Sequence, residues 1–142
     1  MYKKTKRAFQ LLGRPSHHVS VKVALLNEAQ DKVLMTVMPG NRYGLPGGHI
    51  DKGEYPQVAL SREIHEEIGL KEGEYTNLTQ HSFFRSGGRI ILLYTATLNE
   101  AAPITPDADE ILDTVWASYE DIAADRIHSR TYKEQLKAIL KG

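Results

Sequence analysis

Hydrophobic residues alternate with polar ones or run without interruption in four segments, and each of these patterns predicts a β-strand. VSVKVALL at 19–26 starts with strict alternation, and KVLMTVM at 32–38 follows after a short polar segment, so the two favour a hairpin. RIILLYTATL at 89–98 is a continuous apolar run, typical of a central strand that is buried on both faces. ILDTVWA at 111–117 completes the set of predicted strands.

Three other segments predict helices. The longest extends from about Pro56 to Ile68, because proline suits a first turn and Gly69 follows in the place of a left-handed cap. SYEDI at 118–122 has serine and aspartate at the spacing of a capping box, which favours a short helix. From Ser129 to Leu140, apolar residues recur at helical spacing and predict an amphipathic closing helix.

The segment PGNRYGLPGG at 39–48 is rich in glycine and proline and predicts an irregular loop. Strands outnumber helices and do not alternate with them regularly, so the pattern favours an α/β protein in which helices cover a mixed β-sheet. A length of 142 residues and a hydrophobic content of 41% are those of one globular domain, which we expect to span residues 1–142.

Charge is balanced over the whole chain but is distributed unevenly. Eighteen basic and 18 acidic residues give a net charge of zero, so there is no general attraction to nucleic acid or membranes. Eight acidic residues and no basic one lie between Arg89 and Arg126. The first 27 residues hold no acidic residue and six basic ones, Lys3, Lys4, Lys6, Arg7, Arg14 and Lys22. Either the two segments neutralise each other in the fold, or the basic one helps to hold an anionic ligand.

Cysteine is absent, which excludes disulfides, thiolate nucleophiles and thiolate zinc sites. The basic start from Lys3 to Arg7 is followed by AFQLLG, which is too short and too polar to complete a signal peptide. No apolar run approaches the ~20 residues that span a bilayer. We therefore expect a cytoplasmic protein with no membrane partner. A monomer and a homodimer both stay open.

The predicted helix at 56–68 carries glutamates beside its apolar stripe. At ~100° per residue, Leu60, Ile64 and Ile68 form a stripe that is ~80° wide. The adjoining arc of ~100° holds three glutamates, Glu63, Glu66 and Glu67. Like charges at this spacing destabilise a helix by roughly 0.2–0.5 kcal/mol per pair, so such carboxylates either share protons or bind a cation. Oxygen ligands favour a hard ion such as Mg²⁺, Mn²⁺ or Ca²⁺, and Mg²⁺ commonly bridges to substrate phosphates.

The segment LPGGHIDKGE lies directly upstream, and its adjacent glycines let the backbone approach a ligand closely. Together with the helix it reads Gly, five residues, Glu, seven residues, and then Arg-Glu-Ile-x-Glu-Glu-x-Gly-Leu. This pattern resembles the Nudix box, and a chance match at every specified position is of the order of one in 10⁷ to 10⁸. The matching residues are Gly48, Glu54, Arg62, Glu63, Ile64, Glu66, Glu67, Gly69 and Leu70.

The resemblance to Nudix hydrolases implies both a fold and an activity. The fold is an α/β/α sandwich on a mixed β-sheet, in agreement with the strand pattern. The activity is Mg²⁺- or Mn²⁺-dependent hydrolysis of a nucleoside diphosphate linked to another moiety, in which water attacks a phosphorus of the pyrophosphate. Nucleoside triphosphates, including oxidised ones, rank slightly ahead of nucleotide sugars and ADP-ribose as substrates. RNA 5′ ends also stay open.

The resemblance also implies roles for residues in and beside the box. Glu66 and Glu67 are expected to bind metal, and Glu63 is either a third ligand or the residue that orients or deprotonates the attacking water. The backbone carbonyl of Gly47 is a further expected ligand. Arg62 is expected to orient these carboxylates by pairing with Glu66 or with the first glutamate of the box.

One candidate lies in a distal loop. Some members of the family use a glutamate from such a loop as metal ligand or general base, and Glu110, six residues before Trp116, has a comparable place. The alternative is that Glu110 is one of several acidic residues in a solvated loop. The side chain of Trp116 is expected in the core rather than against the substrate.

Candidates for binding the nucleotide flank the glycines and the third predicted strand. Tyr43 can stack on a base while Arg42 contacts a phosphate, just ahead of the glycine turn. Phe84 and Arg85 form a second pair of the same kind. Gly48 is the position at which the backbone is expected to approach the substrate.

Two other classes of protein share this resemblance. One is a nucleotide-sensing module that keeps the Nudix fold without catalysis, but such modules usually lose box glutamates and none is lost here. The other is an isoprenoid diphosphate isomerase on a related fold, which usually depends on a catalytic cysteine that this chain lacks. Hydrolysis is therefore favoured over both.

Overall fold

The computed structural model describes residues 17–141, in which one helix covers one face of a seven-stranded sheet and two helices cover the other. The strands are β1 His18–Leu26, β2 Lys32–Met38, β3 Arg42–Gly44, β4 Gly47–His49, β5 Tyr75–Ser86, β6 Arg89–Leu98 and β7 Asp113–Ser118. The helices are α1 Pro56–Ile68, α2 Tyr119–Ala123 and α3 Lys133–Lys141.

Strand β1 lies at the centre of the sheet. It pairs in parallel with β6 along its whole length, from His18 opposite Arg89 to Leu26 opposite Thr97. On its other side it pairs antiparallel with β4 at its beginning and with β2 at its end. Strand β2 in turn pairs with β3 and β7, and β5 pairs with β6 at the far edge. The sheet is therefore mixed, as predicted.

Alternation along β1 distributes its side chains between two hydrophobic cores. Val21, Val23 and Leu25 pack with α1, and we call this cluster the α1 core. Ala24 and Leu26 point to the opposite face, where they pack with α2 and α3 in a cluster that we call the α3 core. Two helical layers around one sheet form an α/β/α sandwich, and the prediction of this fold class is confirmed.

Most of the predicted elements are confirmed at or near their predicted bounds. Helix α1 ends at Gly69, whose φ of 74° is left-handed and whose N–H donates to the carbonyl of His65. Helix α2 begins with the predicted capping box, in which Ser118 and Asp121 each bond the other's backbone N–H. Helix α3 begins at Lys133 rather than at 129, because the residues before it form turns.

One predicted segment is wrong, one strand was not predicted, and one strand begins later than predicted. The segment 39–48 is not wholly irregular, because it contains β3 and β4, whose backbone groups pair with β2 and β1. Strand β5 was not predicted, because its sequence YTNLTQHSFFRS is mostly polar and half exposed, as suits a strand at the sheet edge. Strand β7 also starts at Asp113 instead of 111, since Leu112 N–H bonds Val37 in a connecting segment.

The basic residues predicted from Lys3 to Arg14 to neutralise an acidic segment or to hold an anion lie outside the described residues. The same is true of the rejected signal-peptide pattern. In the part of the chain that the structure describes, no helix has both the length and the apolar character needed to cross a membrane.

Candidate active site

Helix α1 sets the orientation of the glutamates. Leu60, Ile64 and Ile68 are fully buried in the α1 core, which fixes the rotation of the helix about its axis. The neighbouring arc then runs from the surface into the protein. The Glu66 side chain is 56% exposed and that of Glu63 is 15% exposed, whereas Glu67 is buried. The three carboxylates therefore grade from exposed Glu66 to buried Glu67 and do not form a uniformly exposed acidic surface.

Arg62 joins the carboxylates that precede and surround it. Its Nε and Nη2 donate to the two oxygens of Glu54 at 2.8 and 2.9 Å, and its Nη1 donates to Glu63 at 3.0 Å and to Glu66 at 3.3 Å. This bidentate pair lowers the pKa of Glu54 to about 2 and raises the pKa of Arg62 above its ordinary value. The pairing was predicted with Glu54 or Glu66, and Arg62 contacts both as well as Glu63.

The peptide of Gly47 lies between Glu67 and a lysine from β1. Its N–H donates to Glu67 Oε2 at 3.2 Å, and its carbonyl accepts from Lys22 Nζ at 2.8 Å. The φ of 134° at Gly47 is one that side chains rarely adopt, so the residue there needs to be glycine. The carbonyl that was predicted to bind metal is therefore next to the buried carboxylate that was predicted to bind it too.

Burial gives Glu67 an unusual protonation equilibrium. Desolvation raises its pKa to about 7, although Lys22 and the Gly47 N–H act in the opposite direction. The charges of Glu63 and Glu110 raise the same pKa further. A positive ion beside this carboxylate would relieve the unfavourable terms, because it favours the ionised form.

Gly48 is covered by a carboxylate. A Cβ at this position would lie 2.6 Å from Glu63 Cδ, so any other residue would displace the Glu63 side chain. The close approach predicted here is thus made by Glu63, and Gly48 contributes space for that side chain.

The acidic loop after β6 folds back onto the C-terminal end of α1. Asp107 N–H donates to the carbonyl of Glu67 at 2.8 Å, and Glu110 N–H donates to the carbonyl of Asp107 at 3.0 Å. Glu110 is exposed, and its charge acts on the pKa of both Glu67 and Lys22. The loop therefore brings Glu110 towards the box glutamates, while Trp116 packs against the α1 core as expected.

A cavity of about 580 Å³ adjoins the Lys22 side of Gly47. The predicted pair Arg42 and Tyr43 lies in its wall. Its chemically distinctive lining residues are Lys22, Arg42, Tyr43, Arg89, His128, Arg130 and Tyr132. Since Tyr43, Leu45 and Tyr132 belong to or pack on the α3 core, this cavity lies on the face of the sheet opposite α1.

The second predicted pair, Phe84 and Arg85, lies apart from the first. Both residues line a neighbouring cavity of about 530 Å³, which shares Arg130 and Thr131 with the larger one. The ring of Phe84 packs edge-to-face against Tyr132, with the centroids 6.2 Å apart. Phe84 thus supports a wall of the larger cavity, and the structure does not bring Arg85 to the glutamates.

The sequence indicates Lys22 only as part of the basic segment that neutralises acidic residues or holds an anion, and it does not indicate several other residues of this site. Lys22 carries a further signal, because it is the only Lys, Arg, Asp or Glu in β1 and it lies among mostly apolar residues, where an unpaired charge would be costly. Arg89, Arg130 and Tyr132 carry no such signal. They converge only because β6 and the segment before α3 meet beside β1.

The oxygen donors on and beside α1 are of the type that a hard divalent cation prefers. Within residues 17–141, no three side chains of the types that commonly bind metals are close enough together to form a site by themselves. The donors that are present are carboxylate and carbonyl oxygens from Glu63, Glu66, Glu67 and Gly47, which are hard ligands. Mg²⁺ typically takes only one or two carboxylates and completes its shell with water and phosphate oxygens. By its chemistry the donor set suits a hard divalent cation.

Comparison with known proteins agrees with the box geometry. The family model described as NUDIX domain matches residues 16–137, which is most of the chain. The chain belongs to the Nudix family. The resemblance predicted from the box residues is thereby confirmed, and the predicted enzyme class, a Nudix pyrophosphohydrolase, agrees with this membership.

One curated Nudix relative is the RNA pyrophosphohydrolase of Tolumonas auensis. It is 45% identical over 47 residues, which cover 30% of this chain and 27% of that protein. The match therefore spans about a quarter of the relative's length.

Solved Nudix structures share the fold over most of both chains. A NUDIX-family hydrolase from Clostridium perfringens has a TM-score of 0.71 at 22% identity, and the match covers 89% of this chain and 97% of that chain. An Ap4A hydrolase from C. elegans has a TM-score of 0.68 at 19% identity, with coverage of 86% and 92%. At these identities the likeness establishes the Nudix fold alone.

Proposed function

We propose that this chain is a divalent-metal-dependent hydrolase that cleaves a pyrophosphate bond in a nucleoside diphosphate linked to another group. The observation that carries the proposal is the complete Nudix box arranged around Arg62, with Glu67 and the Gly47 carbonyl beside it. A structural role alone would not need four carboxylates, those of Asp51, Glu54, Glu63 and Glu66, gathered on one arginine.

The residues on and beside α1 have different proposed roles according to their positions. Glu66, Glu67 and the Gly47 carbonyl are the proposed ligands for Mg²⁺ or Mn²⁺, and the bound ion supplies positive charge that neutralises the phosphates and acidifies water. Arg62 holds Glu63 and Glu66 in place, so their oxygens do not have to be ordered when substrate arrives.

Hydrolysis needs a proton acceptor as well as charge neutralisation. A bond forms between the water oxygen and one phosphorus, the bridging P–O bond breaks, and the water's proton passes to a carboxylate. Glu63 and Glu110 are the two candidates. The first is held by Arg62, and the second is exposed and accepts no hydrogen bond from another described residue on its side chain.

The test is a substrate panel with Mg²⁺, read by product mass. The panel includes canonical and oxidised nucleoside triphosphates, ADP-ribose, nucleotide sugars, dinucleoside polyphosphates and 5′-triphosphate RNA. Glu67→Gln removes one charged ligand while keeping an oxygen that accepts from Gly47 N–H, so we expect its turnover to fall at least tenfold. Glu72→Gln is the matched control, because Glu72 is exposed on the turn after α1 and makes no ion pair among residues 17–141.

Each outcome has a separate meaning. Cleavage of at least one substrate by the wild type and the control, but not by Glu67→Gln, supports the proposal. Undiminished turnover in excess chelator contradicts the metal requirement. Tight nucleotide binding without cleavage across the panel contradicts hydrolysis and favours the sensing module instead.

A further inference from the structure

The larger cavity gathers positive charge that the fold leaves unpaired. Lys22, Arg42, Arg89 and Arg130 line it, and its lining contains no aspartate or glutamate. Among residues 17–141, none of the four has a carboxylate oxygen within 4.0 Å. Elsewhere on the same face, basic side chains such as Arg126 and Lys133 pair with aspartates. The absence of partners is therefore a property of the cavity wall.

The cationic groups have polar contacts that hold them but do not neutralise them. Lys22 Nζ donates to the carbonyls of Gly47 and Leu45 at 2.8 and 3.3 Å, and Arg42 Nε donates to the carbonyl of Pro39 at 3.2 Å. Neutral carbonyls satisfy N–H donors but supply no negative charge. Burial lowers the pKa of Lys22, while the charge of Glu67, whose oxygens lie more than 4.0 Å away, acts in the opposite direction. Gathering like charges is unfavourable, so this arrangement is stabilised when an anion enters.

Tyr132 adds a neutral donor to the same wall. Burial raises the pKa of Tyr132 to about 12, while the neighbouring charge of Arg89 acts in the opposite direction. Its hydroxyl therefore stays protonated at physiological pH and can donate to a phosphate oxygen.

The cavity also lies next to the proposed reaction site. Gly47 accepts from Lys22, which lines the cavity, and donates to Glu67, which belongs to the box, so one residue of β4 contacts both. A substrate whose scissile bond is held at the glutamates would place its next group among these cations.

We propose that this cavity binds additional phosphates of the substrate, so that the chain prefers substrates with three or more consecutive phosphates over those with two. The inference rests on the proposed function, because it assigns the group on one side of the scissile bond. A neutral sugar in the cavity would leave four cationic side chains without a counter-charge. Nucleoside triphosphates, dinucleoside tetraphosphates and 5′-triphosphate RNA share the required chemistry.

The first experiment measures binding without turnover. Inorganic tripolyphosphate and pyrophosphate are titrated into metal-free protein by calorimetry at two salt concentrations. We expect at least tenfold tighter binding of tripolyphosphate, with an affinity that falls as salt rises. Arg89→Gln and Arg130→Gln should each weaken tripolyphosphate binding at least fivefold. Lys71→Gln, which removes a positive charge outside the cavity, should leave it unchanged.

The second experiment compares substrates under Mg²⁺. We expect kcat/KM for the three polyphosphate substrates to exceed that for ADP-ribose and UDP-glucose at least 100-fold. Arg89→Gln should lower the ratio of kcat/KM for polyphosphate substrates to kcat/KM for ADP-ribose at least tenfold, mainly by raising KM for the polyphosphate substrates. The three polyphosphate arms then show whether a nucleotide, a dinucleotide or an RNA end carries the phosphates.

The two proposals fail differently. If ADP-ribose or UDP-glucose is cleaved as fast as the polyphosphates, or if Arg89→Gln leaves the ratio unchanged, the inference is wrong while the hydrolase stands. A different result would be that no substrate is cleaved, while tripolyphosphate binds selectively and Arg89→Gln and Arg130→Gln weaken its binding. In that case the proposed polyphosphate site is supported and the proposed hydrolase activity is contradicted.

Discussion

Glu67 is buried beside Gly47, and this burial destabilises the ionised carboxylate that the proposed metal site would need. Burial raises its pKa to about 7 from an ordinary value of 4.5. A carboxyl group whose pKa is raised by folding favours the folded state fully only at pH values below the unfolded pKa. That contribution is lost as the pH rises from 4.5 to about 7, because the ionised form is poorly solvated in the fold.

Glu67→Gln should therefore stabilise the protein when metal is absent. At pH 8 in excess chelator, we expect the free energy of unfolding to rise by an amount on the order of 2 kcal/mol. At pH 4 the difference should disappear, since wild-type Glu67 is then neutral too. Urea unfolding at both pH values measures the effect. Saturating Mg²⁺ should favour the wild type relative to the variant, and a variant that is less stable than wild type in chelator at pH 8 would contradict the argument.

Residue positions within α1 could be predicted from the sequence, but the contacts of Gly47 could not. The glutamates and Arg62 lie within two turns of one helix, so the helical period alone places them on adjoining arcs. The bond between Lys22 and Gly47 joins residues 25 apart in the chain. It depends on the register of β4 against β1, in which Lys22 lies opposite Gly47, and no local pattern specifies that register.

Helix α2 is short, and its first turn depends on the capping box at Ser118. The hydroxyl of Ser118 accepts from Asp121 N–H at 3.2 Å, and the Asp121 carboxylate accepts from Ser118 N–H at 3.0 Å. We expect Ser118→Ala to lower the free energy of unfolding by about 1 kcal/mol, because two terminal N–H groups lose bonding partners or geometry.

Chemical denaturation of the wild type, Ser118→Ala and Ser118→Thr measures this effect. The threonine variant keeps a capping hydroxyl and should retain most of the stability. The kcat with any cleaved substrate should stay within twofold, since Ser118 does not line either cavity. Equal stability of the alanine and threonine variants, with both below wild type, would mean that the hydroxyl is not responsible.

At the scale of elements, a buried strand could be predicted from its apolar sequence more completely than an exposed one. Strand β6 was predicted at its full length because it is buried between two strands and its sequence is continuously apolar. Strand β5 could not be predicted, because an edge strand with an exposed face needs few apolar residues. Strand β4 was not predicted for another reason, since glycine is unfavourable in strands and its backbone pairing with β1 overrides that tendency.

At the scale of the whole molecule, residues 17–141 form two hydrophobic cores, and the strands of one sheet contribute to both. Ile64 is fully buried in the α1 core, and Leu136 is fully buried in the α3 core. Because β1 supplies residues to each, loss of either core should release the same sheet. We expect Ile64→Ala and Leu136→Ala each to lower the free energy of unfolding by about 2–5 kcal/mol within a single transition.

Unfolding followed both by circular dichroism and by the fluorescence of Trp116, which is the only tryptophan, tests this expectation. Coincident midpoints are expected for the wild type and for both variants. Ile64→Val serves as the mild control, with a loss of about 1 kcal/mol. Separate midpoints for the two signals in either variant would show that the cores unfold independently.

The α/β/α fold of the whole molecule could be predicted from the resemblance to the Nudix box, whereas the cationic cavity could not. Its walls come from β1, the turn between β2 and β3, β6 and the segment before α3. Arg89 and Arg130 are unremarkable in their own segments, since isolated arginines are common on protein surfaces. Only the tertiary fold brings four basic residues together without acidic partners.

The position of the sheet between the glutamate helix and the cationic cavity has a consequence for engineering. Positions 42, 43, 128 and 130 lie in the cavity wall and outside α1, so they can be randomised together without altering the packing of Leu60 and Ile64. If the cavity binds part of the substrate as proposed, a combinatorial library at these positions should change which substrate is preferred while the carboxylates of α1 stay unchanged. A library in α1 would instead replace the proposed metal ligands, so hydrolysis should be lost whichever substrate is bound.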